Sequence, residues 1–177
     1  MKNILTLLTV LLLSQSLISQ MSIDLEKSKI KWTGKKITNA SHWGSLSFSE
    51  ANLDFDGDDL VGGKFIVDMN SISVDDIQGR GKQRLEGHLR NKDFFDVENH
   101  KEATLMFNER VPLNNGVYEV TGTLTIKDIS NPIKFTLIPS GSNYSSSLTF
   151  DRTKFEITYS SGTVSYTHLT LPTTVIV

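Results

Sequence analysis

Tyr118-Glu119-Val120-Thr121-Gly122-Thr123-Leu124-Thr125-Ile126 places large apolar side chains at Tyr118, Val120, Leu124 and Ile126, with Glu119, Thr121, Thr123 and Thr125 between them. A period of two is the mark of a half-buried β-strand, because successive side chains of a strand point to opposite faces of its sheet. The same beat runs outward in both directions. Downstream it is carried by Ile133, Phe135 and Leu137, then by Leu148 and Phe150, then by Phe155, Ile157 and Tyr159. Upstream it is carried by Ala103, Leu105 and Phe107, by Phe65, Val67 and Met69, by Leu53 with Phe55, by Leu46 with Phe48, and by Ile30 with Trp32. Each segment has one apolar face, as antiparallel sheets that bury one side require.

Turn chemistry separates the segments. Asn115-Gly116 and Asp56-Gly57 tolerate the positive φ of tight hairpins, and Asn131-Pro132 punctuates the connection before Ile133. Ser140 to Ser147 reads as a Ser-rich loop or hairpin end. One segment breaks the pattern. From about Gln83 to Arg90, Leu85 and Leu89 are four apart with His88 beside them, which predicts a helix of only two turns because Gly87 weakens it. It runs into Asn91-Lys92-Asp93-Phe94-Phe95-Asp96-Val97-Glu98, an aromatic turn amid charges. The expectation is one all-β domain of about eight antiparallel strands, closed as a barrel or stacked as a sandwich.

Residues 1–20 are expected to stand outside that domain as a secretory signal peptide. Lys2 supplies the positive start, Ile4 to Leu13 is apolar except for Thr6 and Thr9, and Ser14-Gln15-Ser16 offers small residues for a cut after Ser16. The apolar run is shorter than the roughly 20 residues a membrane span needs, so no integral span is expected in the mature chain. The protein is expected to be periplasmic in a Gram-negative source and otherwise secreted. The 177 residues contain no cysteine, which excludes a cystine framework, a thiol nucleophile and a zinc–thiolate site. The net charge of −2 gives no reason to expect nucleic acid, whose binders usually carry a basic face.

Candidate chemistry is thin. His88 and His100 flank Asp93, Asp96 and Glu98, but the spacing matches no metal motif. Neither a metal nor another cofactor is expected. Asp54 to Asp59 resembles a calcium loop, yet Gly57 comes two positions early and the twelfth residue is Phe65. There is no Gly-x-Ser-x-Gly elbow. Paired carboxylates that meet only in space remain open, and so does an enzyme that uses His42, His88 and acids at a barrel mouth. A barrel filled by its own side chains is a third reading. The apolar faces favour a binding protein without catalysis, since about eight strands closed into a barrel leave room for side chains alone or for one small ligand.

Several motifs together resemble the YceI-like family. They are Gly87-His88-Leu89-Arg90-Asn91-Lys92-Asp93-Phe94-Phe95-Asp96-Val97-Glu98, Ile30-Lys31-Trp32-Thr33-Gly34-Lys35-Lys36, His42-Trp43-Gly44, Leu60-Val61-Gly62-Gly63-Lys64-Phe65 through Ile72, Val120 to Ile133, and Asp151-Arg152-Thr153-Lys154-Phe155. They follow in family order from about Ser28 to Gly162, with Asp128 where the family usually has Gly. The resemblance implies a lipocalin-like antiparallel β-barrel, exported, holding a polyisoprenoid or an isoprenoid quinone-like lipid in a tunnel. By that analogy and the strand periodicity, the tunnel is expected to be lined by Trp32, Leu46, Phe48, Phe65, Val67, Met69, Leu105, Phe107, Tyr118, Val120, Leu124, Phe135 and Leu137. His88, Leu89, Asp93, Phe94 and Phe95 are expected to cap one end. A homodimer is left open. Residues 163–177, which include Pro172, do not resemble the family. The reading is therefore a barrel domain over 21–162 and an atypical, foreign tail that leaves the closing strand missing and an edge exposed.

Overall fold

The computed structural model describes residues 18–35, 41–159 and 175–176. Among these residues nine strands form one antiparallel sheet: β1 (Ile18–Ser22), β2 (Ile30–Lys35), β3 (Ser41–Asp56), β4 (Asp59–Val74), β5 (Glu102–Pro112), β6 (Tyr118–Ile126), β7 (Ile129–Ser140), β8 (Asn143–Ser147) and β9 (Val175–Ile176). One helix, α1 (Gly79–Arg90), lies between β4 and β5. From β3 to β8 each strand pairs with the next along the chain except across α1, where β4 still pairs with β5. β1 and β2 share the outer edge of β3, β1 along Asn52–Asp56 and β2 along Ser41–Leu46. The sheet curls into a half-barrel around one apolar core. Among the described residues no pairing joins β8 or β9 back to β1 or β2.

β3 is one strand of 16 residues, not two short ones. Leu46 and Phe48 are buried at even positions, Ala51, Leu53 and Phe55 at odd positions. A β-bulge reconciles them: Phe48 lies opposite Val67 and Glu50 opposite Ile66, so Ser49 is the extra residue that switches the parity. In β4 a second irregularity between Asp68 and Ser73 does the same for Met69 and Ile72. There the Ser71 hydroxyl accepts from Ser47 N at 2.8 Å.

The hairpins use the positive φ their turns require. Gly57 has φ 61° between β3 and β4, and Lys127 and Asp128 have φ 52° and 60° between β6 and β7. The connection before Ile133 is therefore Lys127-Asp128 rather than Asn131-Pro132. Pro132 is inside β7 opposite Thr123, on a stretch that β8 does not cover, since β8 pairs only with Thr136–Ser140. Ser140 to Ser147 is a hairpin whose second arm is β8.

Two further expectations change. α1 has 12 residues and begins at Gly79, four before the sequence suggested. Its anchors are tertiary: Glu86 accepts from Val74 N at 2.9 Å, and Lys82 donates to Val74 O at 2.7 Å. Such anchoring outweighs the helix-weakening glycines. Phe155, Ile157 and Tyr159 do not form a strand. Arg152–Phe155 is a 3₁₀ turn, capped by the Asp151 carboxylate accepting from Thr153 N at 2.9 Å and ended by Glu156 at φ 56°. Arg152 holds the following segment by donating to Ile157 O at 2.8 Å and Tyr159 O at 2.7 Å.

Of the expected signal peptide, residues 1–17 lie outside the described residues. Ile18, Ser19 and Gln20 pair with Asp56, Phe55 and Asp54, so the folded part starts before residue 21. Of the tail at 163–177, only Val175 and Ile176 are described, paired with Tyr144 and Asn143. No helix among the described residues is long and apolar enough to cross a membrane.

Candidate functional site: an apolar cavity in the half-barrel

The inward faces of β3 to β8 do not close on each other. They leave a cavity of about 860 Å³, its open mouth included. Leu46 and Phe48 of β3 form one wall, with Ile30 at the start of β2. Phe65, Val67 and Met69 of β4 come next, followed by Ala103, Thr104 and Leu105 of β5 and by Leu124 and Ile126 of β6. Phe135 and Leu137 of β7 continue the wall, and Tyr144, Ser146, Leu148 and Phe150 complete it. Phe95 reaches in from the aromatic turn. Only Thr104, Tyr144 and Ser146 bring a hydroxyl. Burial raises the Tyr144 hydroxyl above its ordinary pKa, and the neighbouring Tyr118 adds to this, so it is a neutral donor at neutral pH.

Four residues expected in the lining lie elsewhere. Trp32 is buried beside Gly44, and its indole N–H donates to Ser73 O at 3.0 Å. The Phe107 ring packs between Phe65 and Phe135, at 6.4 and 6.0 Å between centroids, over Gly63. Only glycine leaves room for it, because a Cβ at Gly63 would collide with the ring. Val120 is fully buried, and Tyr118 carries the Arg110 guanidinium 5.3 Å above its ring. Phe107 and Val120 are solid core beyond the cavity. Periodicity names the correct face of a strand but does not say how far along it the packing stops.

The lining residues not singled out from the sequence are Ile30, Ala103, Thr104, Ile126, Tyr144, Ser146, Leu148 and Phe150. The signal for most of them was present. Tyr144, Ser146, Leu148 and Phe150 keep one parity, but serine hides the beat. Thr104 has the opposite parity to Ala103 and Leu105, and no sequence pattern marks it.

The aromatic turn is held by backbone bonds. Phe95 N donates to Leu89 O at 3.1 Å and Asp96 N to Asn91 O at 2.9 Å. Leu89 is buried, His88 stacks against Phe94 at 5.4 Å and Tyr159 at 4.2 Å, and Asp93 is 3.9 Å from His88 Nδ1. Arg152 lies 5.4 Å above the Phe94 ring, and its own burial lowers its pKa. Of the five end-cap residues only Phe95 lines the cavity.

The polar clusters stand apart from it. His42 Nδ1 is 2.8 Å from Asp76 Oδ2, and His100 Nδ1 is 3.0 Å from Asp128 Oδ2. Neither His42 nor His88 lines the cavity. Among the described residues no group of three or more His, Asp and Glu is arranged to hold a metal ion.

An open antiparallel half-barrel around an apolar cavity, with a short helix against β4 and an aromatic turn that puts Phe95 into the lining, defines the class. The family follows from sequence: the model of the YceI-like domain matches residues 21–175, and the chain belongs to that family. A UPF0312 protein of Vibrio parahaemolyticus serotype O3:K6 is 29% identical over 112 residues, 63% of this chain and 53% of that one. Another, from Pectobacterium atrosepticum, is 29% identical over 92 residues, 52% of this chain and 45% of that one. The chain thus spans about half the length of the curated relatives it matches. Burkholderia cenocepacia BcnA superposes with a TM-score of 0.69 at 21% identity, covering 86% of this chain and 98% of that one. A polyisoprenoid binding domain from Saccharophagus degradans, implicated in plant cell wall breakdown, gives 0.56 at 14% identity, covering 87% and 95%. At these identities the likeness to the two structures is one of fold.

Proposed function

We propose that this protein binds a long apolar molecule, a polyisoprenoid or an isoprenoid quinone-like lipid, in the cavity of the half-barrel and performs no chemistry on it. The observation that carries the reading is the cavity wall, which is hydrocarbon, aromatic ring and thioether except at three hydroxyls. Each methylene moved from water into such a wall contributes about 0.8 kcal/mol, so a five-carbon isoprene unit contributes about 4 kcal/mol before the costs of ordering it. The polyisoprenoid-binding domain of the same fold supports the choice of ligand class. The positions of His42 and His88 off the cavity weigh against the enzymatic alternative.

Mass spectrometry of a lipid extract of the purified protein tests the proposal. A co-purified isoprenoid is expected; clean protein that takes up no isoprenoid lipid in a binding assay overturns it. Val67 is only half-buried, so Val67→Trp fills the cavity at small cost to folding and is expected to abolish the cargo.

Export to the periplasm or the medium belongs to the same proposal. Its support is the sequence of residues 2–16, together with a β1 strand that begins at Ile18, so that a cut after Ser16 leaves the strand whole. Cell fractionation and N-terminal sequencing should find a chain starting at Leu17 outside the cytoplasm. An uncut cytoplasmic chain would refute this part alone.

A further inference from the structure

At the end of the half-barrel that carries α1, two acids next to the helix, Asp75 and Glu86, are matched by the helix's own cations. Lys82 is 3.8 Å from Asp75 and 3.4 Å from Glu86, and Arg90 is 3.9 Å from Glu86 while donating to Ile72 O. His42 holds Asp76, and His88 lies beside Asp93. The two remaining cations of α1, Arg80 and Arg84, are one turn apart on the exposed face and make no ion pair among the described residues. Helix stability gives no reason for Arg80. It sits in a first turn without acidic residues, where a cation opposes the macrodipole.

An exposed indole lies on the strand that pairs with the end of β4 from which α1 departs. Trp43 O accepts from Asp75 N at 2.9 Å, four residues before α1 begins, which places Trp43 at the same end. Its side is 40% exposed, and Lys31 Nζ lies 4.3 Å from the ring centroid. Tryptophan settles at the headgroup level of bilayers, and each Lys or Arg near an anionic leaflet gains about 1 kcal/mol. The net charge of −2 makes this a local patch rather than a general cationic field. Phe95, five residues beyond α1, lines the cavity, and Lys82 and Arg90 hold α1 along the last residues of β4, so the helix that carries the arginines also leads into the cavity cover.

We infer that Arg80, Arg84, Lys31 and Trp43 dock this end on a bilayer containing anionic phospholipid, and that the cavity exchanges its lipid there. The exchange clause rests on the lipid-binding reading; the docking clause does not. Flotation of the full-length protein with vesicles tests docking. Binding is expected to vesicles of phosphatidylglycerol with phosphatidylcholine, to weaken as salt is raised, and to be absent with phosphatidylcholine alone. Arg80→Gln with Arg84→Gln should weaken it roughly thirtyfold, with unchanged thermal unfolding because both side chains are exposed. Tryptophan emission should shift to the blue on binding, and Trp43→Phe should remove that shift, since Trp32 is already buried. Wild-type protein that ignores phosphatidylglycerol vesicles, or a double variant that floats as well as wild type, overturns docking. Lipid content measured on the same samples separates the two readings. Loss of flotation with full cargo is the expected result for the arginine variant, and retained flotation with an empty cavity is expected for Val67→Trp.

Discussion

At the scale of single residues the fold depends on places where a side chain has no room. A Cβ at Gly44 would collide with the Ser73 carbonyl and press on the Trp32 ring. Neither can yield, because one is backbone and the other is hydrogen-bonded there. Gly44→Ala is expected to destabilise by about 3 kcal/mol or more, the upper end of overpacking costs, as read from denaturant unfolding. Glu86 makes the opposite kind of contribution. Its carboxylate is held below its ordinary pKa of 4.5 first by the Val74 N–H, which outweighs the opposing effect of burial, with Lys82 and Arg90 adding to it. A depressed folded pKa gives stability that is complete above the unfolded value and is lost as pH falls through the folded one. Glu86→Gln should therefore lose stability at neutral pH and show a flatter acid limb below pH 4.5 in urea titrations across pH. Asp128 shows a compromise. A non-glycine residue at φ 60° is strained, though Asp, whose short polar side chain bonds locally, tolerates that region better than most.

At the scale of elements, strand identity was legible in the sequence and strand continuity was not. Alternation at Tyr118–Ile126 or Phe65–Met69 needs only burial of one face, a local property. Ser49 carries no local mark of a bulge; its role exists only in register with β4. Deleting Ser49 would turn either Leu46 and Phe48 or Ala51, Leu53 and Phe55 outward. The deletion is expected to abolish folding, while Ser49→Ala changes stability by less than about 1 kcal/mol; solubility and circular dichroism distinguish the two. Phe155, Ile157 and Tyr159 show the reverse error, since a capped 3₁₀ turn held by Arg152 reproduces a period of two without a strand. The helix was seen but shortened, because its first turn owes its order to contacts with β4 that lie eight or more residues away in sequence. The aromatic turn after it covers the cavity through Phe95 alone. Phe95→Ala is expected to speed lipid uptake from vesicles several-fold, followed by fluorescence of a labelled isoprenoid. An unchanged rate would show that the route into the cavity lies elsewhere.

At the scale of the whole molecule, the sequence motifs led to the family, and the inward face of each strand was readable before the structure. The extent of the cavity was not. Phe107 and Val120 have the same parity and character as Leu105 and Leu124, yet the first two pack solidly and the second two face open space. That difference arises where Gly63 of β4 admits the Phe107 ring and Gly122 of β6 admits the close approach of the β5 backbone at Met106, a three-strand coincidence that no single segment encodes. The ends of the half-barrel also differ in chemistry. The β3–β4 hairpin presents Asp54, Asp56, Asp58 and Asp59, whereas the α1 end leaves Arg80 and Arg84 exposed without an ion pair among the described residues.

Among the described residues the β8–β9 edge of the sheet does not pair with β1 or β2, and this bears on how cargo enters. A closed ring of strands admits a chain only by threading one tip through a hole, so a bulky group at each tip would exclude it. A wall that stops short, as it does among the described residues, admits a molecule sideways along its whole length, like a cord laid into a gutter. An isoprenoid carrying large groups at both tips should then load as fast as one carrying a single group, and a much slower rate in the same fluorescence assay would mean that the gutter is shut in solution.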